Sequence, residues 1–344
     1  MTPRVILEIR RALHGERGVS LPEVLVVLAL MSVVSLMFYQ MYMGTIKSTM
    51  FIESKNDLAM YSQRTINRLK LELMQSRRVY QNDTRGNGYL NAYQIPGDRP
   101  VLDGSRLPIA HPNGVIEEDA TGETYTGNMM LTVRERAPHE AVVDHDGDSG
   151  TPDVEFLSDL YSFQLFYLAK RSDRQLEPHS FYVDLHRLDS QRYADYFQLQ
   201  GLDATYRTEV ASSLHDAGIQ MAWDPNADAS SAFYSIGSDG SFTAVGNHAI
   251  DPVDSGSLLP ELHGGRISGS MVYSVGIETD PSLGTPDPVS VLAQESALFP
   301  SGFEVKVIGP TGARKIFARL MLVSQYQQET TSRANTVVVT IAEF

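Results

Sequence analysis

From Val24 to Ile46 the chain runs 23 residues without one group that is ionised at neutral pH, VLVVLALMSVVSLMFYQMYMGTI. As an α-helix rising 1.5 Å per residue this stretch spans about 35 Å, enough to cross the hydrocarbon core of a bilayer. Upstream, residues 1–18 carry Arg4, Arg10, Arg11 and Arg17 against Glu8 and Glu16, and a net basic flank is the side that stays in the cytoplasm. The reading is a single-pass membrane protein with its N-terminus inside and the bulk of the chain outside. A secretory signal would have an apolar core of roughly 7 to 15 residues followed by a small-residue cleavage site. The run here is longer and lacks that ending.

Charge narrows the partners. The 28 Lys and Arg face 42 Asp and Glu, a formal net charge of −14, which argues against the broad phosphate-neutralising surface that nucleic-acid binding needs. Without residues 1–18 the balance is 24 basic against 40 acidic residues, so the exported part stands at −16. The chain has no cysteine, which excludes disulfides, thiolate metal sites and cysteine nucleophiles.

The junction before the apolar run is unusual. The basic segment ends in Gly18, and the run opens Val19-Ser20-Leu21-Pro22-Glu23. A carboxylate at the edge of a membrane helix is costly and needs a partner. On its own Glu23 reads as an acid placed at the positive end of a helix dipole in a single-pass anchor. The pattern RG-VSLPEVLVVLAL resembles the class III signal of type IV prepilins and pseudopilins, with Gly18 before the scissile bond, Val19 as the new N-terminus and Glu23 fifth after the cut. That resemblance implies cleavage by the prepilin peptidase, methylation of Val19, and pairing of Glu23 with a neighbour's N-terminal amine. Its other implied partners are the inner-membrane assembly platform, membrane lipid before assembly, and the major and other minor pilins. Residue 22 is Pro, which the first turn of a helix tolerates because its missing N–H has no intrahelical acceptor there.

Beyond the apolar run the pattern turns amphipathic. Phe51, Leu58, Ser62, Ile66, Leu69 and Leu73 recur at three-, four- and seven-residue spacings between charged positions, which predicts one helix with a buried stripe. No Pro follows until residue 96, and the breaker-rich QNDTRGNG at 81–88 marks a stop, so the helix is expected over 19–78, nearly 90 Å long. A coiled coil is the other reading of 51–73, although the heptad is not sustained. Residues 79–344 read as strands and turns, with β-rich runs at 129–136, 161–170, 180–188, 271–279, 302–309, 315–324 and 335–344. RSDRQLEPH and IGPTGARK are expected to turn two hairpins, and 189–270 to form an inserted subdomain or long loops. The expected fold class is therefore α+β, pilin-like, with a leader at 1–18, a long helix whose 24–46 segment crosses the membrane, and a mainly antiparallel β head at 79–344. FYLAKRS with FYVDLHRLDSQRYADY and the closing Val-rich strand resembles large minor pilins of the PilW type and, more distantly, GspJ-like pseudopilins.

Catalytic patterns are missing: no G-x-S-x-G, no GK dipeptide and no H-E-x-x-H occurs, and the nine histidines are scattered. One constellation has ligand spacing. Asp144, Asp146, Asp148 and Glu155 occupy positions 1, 3, 5 and 12 of a calcium loop, with the Gly150 carbonyl at position 7. Position 6 is Ser149 where such loops carry Gly, so a Ca2+ site and a plain solvated turn are both open. Together these features predict a minor type IV pilin, not an enzyme, that primes pilus assembly at the tip at low copy number. A type II secretion pseudopilin and a pilus-carried adhesin are the alternatives.

Overall fold

The structure is a computed structural model of the chain and describes residues 20–95, 107–111, 126–144, 153–177, 180–258, 271–274, 277–279, 303–310, 312–326 and 329–343. Two compact units divide it, Met1–Lys55 and Asn56–Phe344.

A single helix, α1, runs Leu21–Met74. Ser20 caps it, its carbonyl accepting from the Val24 N–H, which places Pro22 in the first turn where it removes no intrahelical bond. Up to Lys55 the apolar side chains point outward on every side, Val24, Leu28, Met31, Val34, Met37 and Met41 among them. Lipid supplies no hydrogen bonds, and two hydroxyls of this stretch bond back within the helix: Ser32 Oγ donates to the Leu28 carbonyl at 2.8 Å and Thr45 Oγ1 to that of Met41 at 2.9 Å.

From Asn56 onward the same helix has one face. Leu58, Ser62, Ile66, Leu69 and Leu73 are buried, the stripe read from the sequence, while Phe51 is only partly covered. The helix ends at Met74, four residues before the expected 78. Ser76–Val79 forms strand β1 instead, antiparallel to the strand at Met130–Val143, with Val79 opposite Thr132. A sheet ladder and the burial of Val79 outweigh the modest helix preference of Ser-Arg-Arg-Val. The expected breaker segment also behaves differently: α2 spans Thr84–Ala92, its N-terminus capped by Asp83, which accepts from the Gly86 N–H at 2.7 Å. A Cβ on residue 86 would run into the Gln81 carbonyl oxygen, so glycine permits this turn of helix where it was expected to break one.

The remaining elements follow in order: β2 (Ala110–His111), β3 (Thr126–Gly127), β4 (Met130–Val143), β5 (Val154–Glu177), β6 (Ser180–Ser190), β7 (Tyr193–Asp195), α3 (Tyr196–Gln200), α4 (Ala204–Asp216), β8 (Met221–Trp223), β9 (Phe233–Ile236), β10 (Phe242–Ala244), β11 (Pro252–Ser257), β12 (Met271–Ser274), β13 (Ile277–Thr279), β14 (Phe303–Ile308), β15 (Arg314–Tyr326) and β16 (Glu329–Ile341). Among the described residues ten strands join one sheet along β1-β4-β5-β7-β8-β9-β10, with β6 on β5 and β11 and β13 on β6. Six join a second, in which β15 lies between β16 on one side and β14 and β12 on the other, and β2 and β3 pair β14. Pairing is antiparallel except for β7 with β8 and β14 with β2. The run expected as one strand over 271–279 serves both sheets, because β12 pairs β15 and β13 pairs β6. Between β14 and β15, Gly309 turns at φ +107°, where a Cβ would lie 2.8 Å from the Ala313 carbonyl oxygen.

Three cores result. The stripe of α1 packs on the six-stranded sheet through Phe303, Val305, Val307, Leu320 and Val339. The architecture is thus α+β, a long N-terminal helix on a mostly antiparallel β domain. A second core is aromatic: Tyr89, Tyr93, Phe163, Tyr193, Trp223 and Phe233 are fully buried, with Trp223 Nε1 donating to the Tyr89 hydroxyl at 3.1 Å and Tyr93 donating to the Leu188 carbonyl at 3.1 Å. Burial pushes the Tyr89, Tyr93 and Tyr193 phenols up, so these rings stay neutral donors. The third core seats α4 on the ten-stranded sheet through Val210, Ala211, Leu214 and Ala222.

Candidate functional site

At the head of α1, Glu23 is the third helical residue after the Ser20 cap. Its Oε2 accepts both from the Ser20 N–H and from Ser20 Oγ, each at 2.9 Å. The bond from the Ser20 N–H is the carboxylate half of a capping box, the contact that the S-x-x-E spacing of Ser20-Leu21-Pro22-Glu23 permits. It gives the carboxylate a local role besides the two expected ones, since it holds the first turn in shape. Oε1 has no hydrogen-bond partner among the described residues, so the carboxylate keeps acceptor capacity for an outside cation. Gly18 and Val19 lie outside the described residues.

On the head, a chain of alternating charges joins α1 to the ten-stranded sheet. Glu72 Oε2 accepts from Arg134 Nη1 at 2.6 Å and from Gln164 Nε2 at 3.3 Å, while its Oε1 accepts from Arg187 Nη1 at 2.6 Å. Arg187 Nη2 then meets Asp189 Oδ2 at 2.8 Å, and Asp189 Oδ1 accepts from Gln164 Nε2 at 2.7 Å and pairs with Arg136 at 3.2 Å. The register explains the meeting. Arg134 lies opposite Ser162, Gln164 opposite Asp189 and Phe166 opposite Arg187, so period-two alternation brings one face of β4, β5 and β6 under Glu72. Asp189 is 5% exposed and Glu72 13%, depths at which a carboxylate needs the partners seen here. None of these residues was singled out from the sequence as a site.

Residues 13–39 match the prokaryotic N-terminal methylation motif. The chain therefore carries a prepilin-type N-terminus, and this class of signal entails processing by prepilin peptidase and assembly with other pilins. The 54-residue helix that follows the junction is long and apolar enough to cross a membrane, which fits an inner-membrane anchor. No curated protein and no solved structure matches the chain.

The prepilin N-terminus makes Glu23 testable. Glu23→Val should still insert and be cleaved but enter fibres several-fold less, whereas Ser20→Ala, which removes one capping donor and leaves the carboxylate, should enter normally. Quantifying both variants in sheared fibres checks this, and equal incorporation of Glu23→Val would reduce the carboxylate to its capping role.

Of the calcium-spaced residues, Asp146, Asp148 and Gly150 lie outside the described residues. Asp144 follows β4 and its N–H donates to Glu209 Oε2 at 2.8 Å, while Glu155 is exposed on β5 opposite Val142. Among the described residues no group of three or more His, Asp or Glu is placed to hold a metal ion.

Proposed function

We propose that the chain is a minor pilin, made as an inner-membrane precursor, cut after Gly18, methylated at Val19 and incorporated at low copy number where the fibre begins. The observation that carries this reading is a prepilin-type N-terminus joined to a large, acidic head. Helices of such subunits pack side by side in a narrow core, so each head must fit among its neighbours' heads. Residues 79–344 form a head of 266 residues, and the chain beyond residue 18 carries a net charge of −16. Repeated at every subunit, such domains would crowd and repel one another, while a single copy at the end has free space above it. The role we infer is structural: the charges of Glu72, Arg134, Arg187 and Asp189 dock elements of the head to one another.

Quantitative mass spectrometry of sheared fibres tests the copy number. The chain should be present at no more than about one-hundredth of the main pilin, the ratio for one copy against on the order of a hundred shaft subunits, and its deletion should lower the number of fibres. An abundance comparable to the main pilin removes the tip role.

A further inference from the structure

Beside the buried charge network an open cleft of about 430 Å3 is lined by Arg136, Arg187, Asp189, Arg192, Val253 and Asp254, among other residues. Its volume lies in the range of small-ligand sites, about 300–1,000 Å3. Its charge is opposite to that of the chain. Counting the linked side chains, Arg134, Arg136, Arg187 and Arg192 face Glu72, Asp189 and Asp254, an excess of one positive charge in a protein of net −14. Burial, with repulsion from Arg134 and Arg187, pulls the Arg136 guanidinium below its ordinary range although Asp189 opposes it. An added oxyanion would relieve that repulsion.

Two details show what kind of group fits. Arg187 Nη2 is shared between Asp189 at 2.8 Å and Asp254 at 3.4 Å, and the Asp254 side chain is 65% exposed at the rim. Asp254 is thus a loosely held carboxylate resting on a buried guanidinium. Arg192, also on the rim, spends its Nη2 on one long bond of 3.4 Å to the Ala217 carbonyl. Next to them Val253 exposes most of its side chain, so the cationic wall adjoins an apolar spot. Arg187 keeps Nη1 for Glu72 and shares Nη2 with Asp189, so the place open to an outside carboxylate oxygen is the one on Nη2 that the rim carboxylate of Asp254 now takes.

We propose that this cleft binds a carboxylate of an acidic peptide segment from a partner protein, taken by Arg187 and Arg192 as Asp254 swings out, with Val253 against the apolar part of the bound segment. The site is independent of the position of the chain in a fibre.

Calorimetry on the full chain in detergent tests it with two probes, an acetylated tri-glutamate amide and succinate. The peptide should bind saturably. Arg192→Glu, a substitution at an exposed rim position that should leave the melting midpoint in place, should weaken binding about tenfold or more, the loss expected when a charge-assisted hydrogen bond is replaced by repulsion. Asp254→Asn should strengthen it several-fold, because the competing internal carboxylate is gone, an effect that a purely structural role for Asp254 would not produce. No saturable binding of the peptide to either the wild type or Asp254→Asn overturns the proposal, as does unchanged affinity in a folded Arg192→Glu variant. Succinate binding without peptide binding overturns the peptide as the source of the carboxylate.

Discussion

Replacing Gly18 by Glu is expected to leave essentially all of the chain in the membrane as full-length precursor, whereas the wild type should begin at an N-methylated Val19. The expectation is all-or-none because the substitution acts at the proposed cut itself. It puts a charged side chain at the small residue proposed to precede the scissile bond, inside the motif matched over 13–39. The downstream helix is untouched, so insertion should persist, and uncut protein would then report on cleavage alone. Intact-mass and N-terminal peptide analysis of membrane fractions decides it. A wild-type chain starting anywhere but residue 19, or a Gly18→Glu chain cut as well as wild type, removes the processing step from which the assembly reading follows.

The sequence showed the parts of this protein whose signals are local. The apolar run, the stripe from Leu58 to Leu73 and the β-rich runs of β4, β5, β14 and β15 each announce themselves within about ten residues, and the structure places helix and strands there. The misses share a different cause. Ser76-Arg77-Arg78-Val79 has no alternation of its own and becomes a strand because β4 offers a ladder. The end of α1 is therefore a tertiary decision. Thr84–Ala92 is helical despite two glycines, since Asp83 caps it and its Tyr89 is anchored in the aromatic core. The network around Glu72 is the extreme case. Glu72 reaches Arg134 and Arg187 across 62 and 115 residues of sequence, and in one dimension each looks like an ordinary surface charge. Only the register of β4, β5 and β6 gives them a common face. The contact between the Ser20 N–H and the Glu23 carboxylate was within reach, because the S-x-x-E spacing alone carries the signal.

That network supports the second large effect. Glu72→Ala should destabilise the head by about 3–5 kcal/mol, the range for removing one member of a buried ion pair and leaving the other uncompensated. Two guanidinium groups, those of Arg134 and Arg187, donate to this one carboxylate at 2.6 Å each, and among the described residues Glu72 is the only acid with which Arg134 forms an ion pair. Losing Glu72 therefore leaves Arg134 both partly buried and facing a like charge, while Arg187 retains Asp189. A contact of this kind should be strongly coupled. If the cost of Glu72→Ala is mainly the stranded Arg134, then adding Arg134→Ala should recover part of it, and the double variant should be more stable than the sum of the two single losses by about 0.5–3 kcal/mol. Denaturant unfolding of the full chain in detergent, followed through the buried Trp223, measures all three variants. A loss below about 1 kcal/mol for Glu72→Ala would place the pair with the exposed ones that contribute little. Strict additivity would show that the helix is held to the sheets by the Leu58–Leu73 stripe and that the charges lie at that junction without fastening it.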